Sequence, residues 1–201
     1  SSASSTLRRN ASPPRNVSSF TRTSHSGGAV SPRSTFTRQS IALVKAVELY
    51  HAGVNAWIDR TEVVDVIVRF GRALDDQDWA ALRGCLAAEL EVDYSSFRGT
   101  PPGRVPADEF VAQRRSGLAG LVTQHLGAGH LVEIDGDTAT CRCDFAIRRW
   151  PADPAEGRFL HSYGTYRYGL RRTADGWQIA AIVQVVARSE GDRTLHGALR
   201  S

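Results

Sequence analysis

From Asp59 onward the apolar residues of this chain recur at helical spacing. Val63, Ile67, Phe70 and Leu74 fall at i, i+4, i+7 and i+11, which places one apolar stripe on a helix running to about Leu74. Asp78 has the character of an N-cap, and Trp79, Leu82 and Leu86 then face inward on a second helix. The period changes at Leu90. Leu90, Val92 and Tyr94 alternate with Glu91, Asp93 and Ser95, so a strand follows, and Gly99 to Pro102 break it. Pro106 opens a third helix, with Asp108 and Glu109 in the first turn, where the helix dipole favours acids.

After Leu121 the pattern is that of strands. Residues 124–134 lead through Asp135-Gly136-Asp137, a hairpin signal, into 138–149. A Pro-containing connection over 150–157 precedes a strand over 159–172, and Thr173-Ala174-Asp175-Gly176 turns the chain into 177–188. The order α-α-β-α-β-β-β-β predicts an α+β domain over residues 57–190 in which a curved sheet wraps the helices. Such a sheet, closed on one side by helices, keeps a pocket at its mouth. Residues 46–56 read as a short helix or linker and residues 191–201 as a flexible C-terminal tail.

Composition changes the picture at the N-terminus. Residues 1–45 are rich in Ser and Arg, carry seven cationic side chains and no acid, and are expected to be disordered. Subtracting that +7 from the formal +4 of the chain leaves residues 46–201 at −3, so the basic balance belongs to the tail and no nucleic-acid partner is expected. The same composition is that of an organellar transit peptide or of a nonfunctional extension; a cytoplasmic location is expected, with targeting by residues 1–40 left open. No apolar run reaches the ~20 residues that span a bilayer, so a soluble protein without a membrane partner is expected. Cys85, Cys141 and Cys143 fit neither a disulfide framework nor a metal site and read as small apolar packing.

Asp75 closes the first helix and His125 enters a strand fifty residues later. A carboxylate that accepts from one imidazole nitrogen fixes the tautomer and makes the other nitrogen a general base near neutral pH. On spacing alone, a turn acid and a satisfied core histidine are the alternative. Tyr94 could polarise a carbonyl or hold a water, or be a half-buried strand aromatic. Arg142 and Asp144 share a strand face, as a water-activating pair or a cross-strand ion pair. Gly127 and Gly129 share strand parity with His125, whereas His130 has the opposite parity, so the two histidines are not expected to pair on a metal. His161, Tyr163, Tyr166 and Tyr168 are candidates to line the cavity. Phosphate loops, G-x-S-x-G and H-E-x-x-H do not occur.

Three ordered stretches, Leu90 to Phe97, Val105 to Val111 and Thr123-Gln124-His125, resemble scytalone dehydratases of the SnoaL-like branch of the nuclear transport factor 2-like superfamily. The resemblance implies a cone-shaped α+β barrel, three N-terminal helices in a strongly curved mixed sheet. It implies a lyase or isomerase that uses Asp75 and His125 as a dyad with Tyr94 on the carbonyl, acting on a small hydrophobic cyclic hydroxy-carbonyl substrate without metal or cofactor. Phe70, Leu74, Phe97, Arg142, Asp144, Arg149 and Tyr166 are the expected binding residues. Leu74 stands where the family has its second tyrosine, and Arg149 near a further family histidine. Limonene-epoxide hydrolases of the same superfamily have an Arg-x-Asp motif similar to Arg142-Cys143-Asp144, but their second aspartate falls near Gln184. Other superfamily members only bind ligands, and members often pair as homo-oligomers through the outer sheet face.

Overall fold

The computed structural model describes residues 38–196. Most of the N-terminal tail and the last five residues therefore lie outside the described residues. The first element, α1 (Arg38–Asp75), is one continuous helix, where two segments were expected. Gly53 is a weak helix former, but no proline interrupts this stretch, and a single glycine costs only about 1 kcal/mol. Apolar side chains of α1 such as Leu43, Leu49 and Trp57 are exposed, and burial begins at Val63. From there Val63, Val66, Ile67, Phe70 and Leu74 are buried. At roughly 1.5–3 kcal/mol each, this stripe contributes on the order of 10 kcal/mol as an upper estimate.

The helix ends by a Schellman closure: the Asp78 N–H donates to Ala73 O at 2.9 Å and Gln77, at φ +52°, donates to Leu74 O at 3.4 Å. A residue other than glycine in that left-handed position is strained. Its side chain gives the compensating contact, since Gln77 Nε2 donates to Leu121 O at 3.1 Å. Asp78 then caps α2 (Trp79–Gly84) by accepting from the Ala81 N–H at 3.0 Å, as its sequence position predicts. Leu86 does not belong to this helix; it opens β1 (Leu86–Asp93) and is fully buried there.

The strand expected to carry Tyr94 stops one residue short of it. Tyr94 precedes a single helical turn, α3 (Ser95–Arg98), which Gly99 closes at φ +72°. A short strand, β2 (Gly103–Pro106), replaces the expected loop, and Pro106 is the N-cap of α4 (Ala107–Gly117) rather than its first residue. Four long strands follow: β3 (Leu121–Asp135), β4 (Thr138–Pro151), β5 (Leu160–Thr173) and β6 (Gly176–Gly191). They form one six-stranded sheet in the order β2-β1-β6-β5-β4-β3. Only β1 and β6 run parallel, so the sheet is mixed, and β2 and β3 are its edges. The α+β class and the curved sheet around helices agree with the sequence pattern, with an open sheet rather than a closed barrel.

The chain after Gly191 departs from the expected flexible tail. Arg193–Leu195 form a 3-10 turn, in which Asp192 accepts from the Thr194 N–H, and Leu195 and His196 are buried. Apolar Leu195 and aromatic His196 anchor the turn; the His196 ring stands edge-on to Phe97 with centroids 4.9 Å apart.

Candidate active site

The N-terminal part of β3, set against the last turns of α1, builds the site. Gly71 lies opposite His125: a Cβ at Gly71 would be 3.5 Å from His125 Cβ, so helix and strand approach closely there. Asp75 is one helical turn further along the same face. Its Oδ1 is 2.5 Å from His125 Nδ1 and accepts from Thr123 Oγ1 at 2.9 Å, while its Oδ2 accepts the His125 backbone N–H at 2.8 Å. Burying a carboxylate costs several kcal/mol, and hydrogen bonds to a charged acceptor return about 1.5–3 kcal/mol each, so three of them are needed. Burial alone would raise the Asp75 carboxyl; the bonds from His125 and Thr123 outweigh it and hold the group below its usual range.

These contacts fix the tautomer. With the Asp75 carboxylate as acceptor, Nδ1 carries the proton, which leaves Nε2 as the basic nitrogen. Burial depresses the His125 imidazolium, and the nearby Arg149 and Arg114 add to that, against the opposing pull of Asp75. The ring is therefore neutral at neutral pH, the form a general base requires.

His125 lines a cavity of about 240 Å³ together with Phe70, Phe145, Ile147, Tyr166 and Tyr168. Its lining is mostly apolar. His130 lines it too, contrary to its strand parity. A bulge between Ala128 and Leu131, with Gly129 at φ +64°, flips the alternation of β3 and turns His130 inward. The Gly127 position is filled by that ring: a Cβ there would stand 3.3 Å from His130 Nε2.

A second chamber, of about 40 Å³, shares His125, Phe70 and Tyr166 with the first. Leu74, Tyr94, Phe97 and Arg149 line it, so the structure brings these expected residues to the dyad. Tyr94 arrives on the α3 turn, held because Ser96 Oγ donates to Gln184 O at 2.7 Å and accepts the Val186 N–H at 3.0 Å. Its ring packs on two guanidinium groups, with Arg98 Cζ at 4.9 Å and Arg114 Cζ at 4.8 Å from the centroid. Tyr166 is buried, and its hydroxyl accepts from Gln184 Nε2 at 2.6 Å.

Two expected binding residues are not in the site. On β4 the odd positions from Ala139 to Pro151 are buried, whereas Arg142 and Asp144 are exposed on the opposite face. The strand's alternation, anchored by Cys141, Cys143 and Phe145 inside, decides their direction. The Arg-x-Asp arrangement of an epoxide hydrolase is thus absent from the cavity. Burial pushes the Cys141 thiol up to about 11 and Cys143 to about 12, in keeping with inert packing. On β5, Tyr166 and Tyr168 line the cavity, and His161 and Tyr163 do not.

Several residues were not anticipated. Thr123 clamps Asp75, and Arg98, Arg114, Gln184 and His196 line the second chamber. Two had a visible signal. Arg114 stands midway between the apolar Phe110 of α4 and its C-cap Leu118, four residues from each, and Thr123 shares the face of His125 two residues away. His196 had none, because it lies beyond the alternating pattern.

Fold and site together define an α+β protein with a curved mixed sheet and an acid–imidazole pair opening on an apolar cavity. The chain belongs to the SnoaL-like domain family, whose profile matches residues 56–183. It is 36% identical over 135 residues to scytalone dehydratase PfmaJ of Pestalotiopsis fici, covering 63% of this chain and 71% of that protein. It is 31% identical over 146 residues to scytalone dehydratase-like protein claB of Passalora fulva, covering 68% and 90%. The crystal structure of Kfla4162 protein from Kribbella flavida superposes with a TM-score of 0.65 at 28% identity, over 70% of this chain and 97% of that one. At the level of the family, these relatives support a dehydratase- or isomerase-like function. Among the described residues no helix is long and apolar enough to cross a membrane.

Proposed function

We propose that this chain is a lyase that removes water from a small, mostly apolar, cyclic hydroxy-carbonyl compound, with His125 as the general base and acid. Nε2 of His125 takes the proton from the carbon next to the carbonyl, and the electron pair moves into an enolate. The carbon–oxygen bond at the β position then breaks, and the imidazolium returns its proton to the leaving hydroxyl, which departs as water. Asp75 orients the ring and stabilises the imidazolium, and the Tyr94 hydroxyl donates to the carbonyl oxygen or to a bridging water. The balance closes within substrate and protein, and no metal or organic cofactor enters it.

The observation that carries this reading is the 2.5 Å contact of Asp75 Oδ1 with His125 Nδ1, beside an apolar cavity that the same imidazole lines. The test is a mass-spectrometric screen of cyclic β-hydroxy ketones incubated with the full chain. A product lighter by one water, formed by the wild type and not by His125→Ala, is the expected result. The same yield from His125→Ala would overturn the reading. A second reading, a ligand-binding member of the same fold, draws on the low exposure of the His125 side chain, 14%. It requires that every bound compound leave unchanged.

A further inference from the structure

The second chamber holds more positive charge than elimination from a neutral compound requires. Arg98, Arg114 and Arg149 converge on it, and no aspartate or glutamate lines it. Among the described residues none of the three forms an ion pair with a carboxylate, and the Nε of each is buried without a hydrogen-bond partner. Arg149 is the most enclosed, at 4% exposure, and among the described residues its side chain makes a single hydrogen bond, a 3.4 Å contact from Nη1 to Ser162 Oγ. Arginines at this depth are ordinarily paired. Here aromatic faces surround them, Tyr94 and Phe110 against Arg114, Tyr94 against Arg98, and Phe97 against Arg149. Burial and mutual repulsion pull Arg98 and Arg149 down to about 10 and His196 to about 3. The arrangement is that of a site waiting for an anion.

The size of the chamber selects the anion. About 40 Å³ takes roughly three waters or one planar carboxylate, and a ring belongs in the adjoining 240 Å³ cavity. The two spaces share His125, Phe70 and Tyr166 as lining residues. A developing enolate alone would leave three guanidiniums unbalanced before the reaction begins; a permanent charge on the substrate balances them throughout. Guanidinium groups also match the two oxygens of a carboxylate in plane.

We propose that the compound taken by this site is a cyclic monocarboxylate, its carboxylate in the chamber of Arg98, Arg114 and Arg149 and its ring against His125. This rests on the lyase reading for what happens to the ring, but not for the binding itself.

The test is calorimetric binding of benzoate and of benzamide, its neutral isostere, to the full chain at low chloride. Benzoate is expected to bind at least about tenfold more tightly than benzamide, and Arg149→Met to weaken benzoate by about tenfold or more, as loss of a charge-assisted hydrogen bond predicts. Arg98→Gln serves as a second variant should Arg149→Met fail to fold, with circular dichroism as the check. Arg142→Ala, on the outer face of β4, removes a positive charge outside the chamber and is expected to keep benzoate affinity. Equal binding of benzamide, unchanged benzoate affinity in both arginine variants, or competition by chloride as strong as by benzoate would each overturn the proposal. Benzoate binding that needs Arg149, in a protein that dehydrates no carboxylated substrate, would keep the anion site and reject the lyase reading.

Discussion

Asp75 holds His125 twice: Oδ1 meets the ring at Nδ1, 2.5 Å away, and Oδ2 accepts the backbone N–H of the same residue at 2.8 Å. One carboxylate thus fixes both the ring's tautomer and the strand position that carries it. Asp75→Asn keeps the shape but puts an amide where an acceptor is needed. Turnover is expected to fall by on the order of 10²-fold or more, in line with general acid–base contributions. Rates of wild type and variant on any substrate found by the mass screen check this, and equal rates would reject the dyad.

Thr123 supplies the third hydrogen bond to that carboxylate, at 2.9 Å. Thr123→Val removes the donor and leaves the volume nearly unchanged. The expected loss of stability is about 1.5–3 kcal/mol, the range for a hydrogen bond to a charged group, read from urea unfolding.

Arg142 and Asp144 point away from the cavity. Arg142→Ala and Asp144→Ala are therefore expected to leave turnover unchanged, whereas Tyr94→Phe lowers it. Loss of activity in the first two would mean that the outer face of β4 takes part in the chemistry.

Acid sensitivity follows from His196. Burial, with Arg149, Arg98 and Arg114 adding to it, lowers its pKa from 6.5 to about 3. A histidine depressed in the folded chain is neutral there and takes up a proton on unfolding. The stability it allows is complete above 6.5 and is lost as pH falls from 6.5 toward 3, at up to about 1.4 kcal/mol per pH unit. His125 shifts in the same direction, and Asp75 adds a loss only below its ordinary 3.8. His196→Gln is expected to flatten the decline by about one proton in unfolding titrations between pH 7 and 4. An unchanged slope would place the acid sensitivity elsewhere.

Gly71 sits in the interior of α1, and a Cβ there meets His125 Cβ at 3.5 Å, an ordinary contact. Gly71→Ala is expected to stabilise the chain by roughly 0.5–1 kcal/mol through helix propensity, measured as a shift in the urea midpoint.

The periodic parts of this fold were legible in the sequence, because burial writes itself as a repeat. The stripe Val63, Ile67, Phe70, Leu74 and the alternation of β4 fix which faces turn inward, and the order of elements gives the α+β class. Where a local device breaks the repeat, the sequence misleads. The Gly129 bulge reverses the parity of His130, and the Tyr94 turn ends β1 one residue early. Parity places Arg142 and Asp144 on one face of β4, but the buried Cys141, Cys143 and Phe145 make that face the outer one. Spacing alone left Asp75 and His125 ambiguous, since a pair fifty residues apart meets only through the packing of α1 on β3. The arginine chamber was hidden for the same reason: Arg98, Arg114 and Arg149 come from a turn, a helix and a strand that no sequence repeat connects.

On the proposed mechanism, Asp75 keeps His125 as a neutral base with its proton on Nδ1. Nitrogen-15 NMR of the histidine side chains in the wild type, assigned by comparison with His125→Ala, tests it without any substrate. A neutral ring protonated on Nδ1 at pH 7, titrating below 6.5, is the predicted result, with the Nδ1 preference lost in Asp75→Asn. A proton on Nε2, or a ring still charged at pH 7, would contradict it.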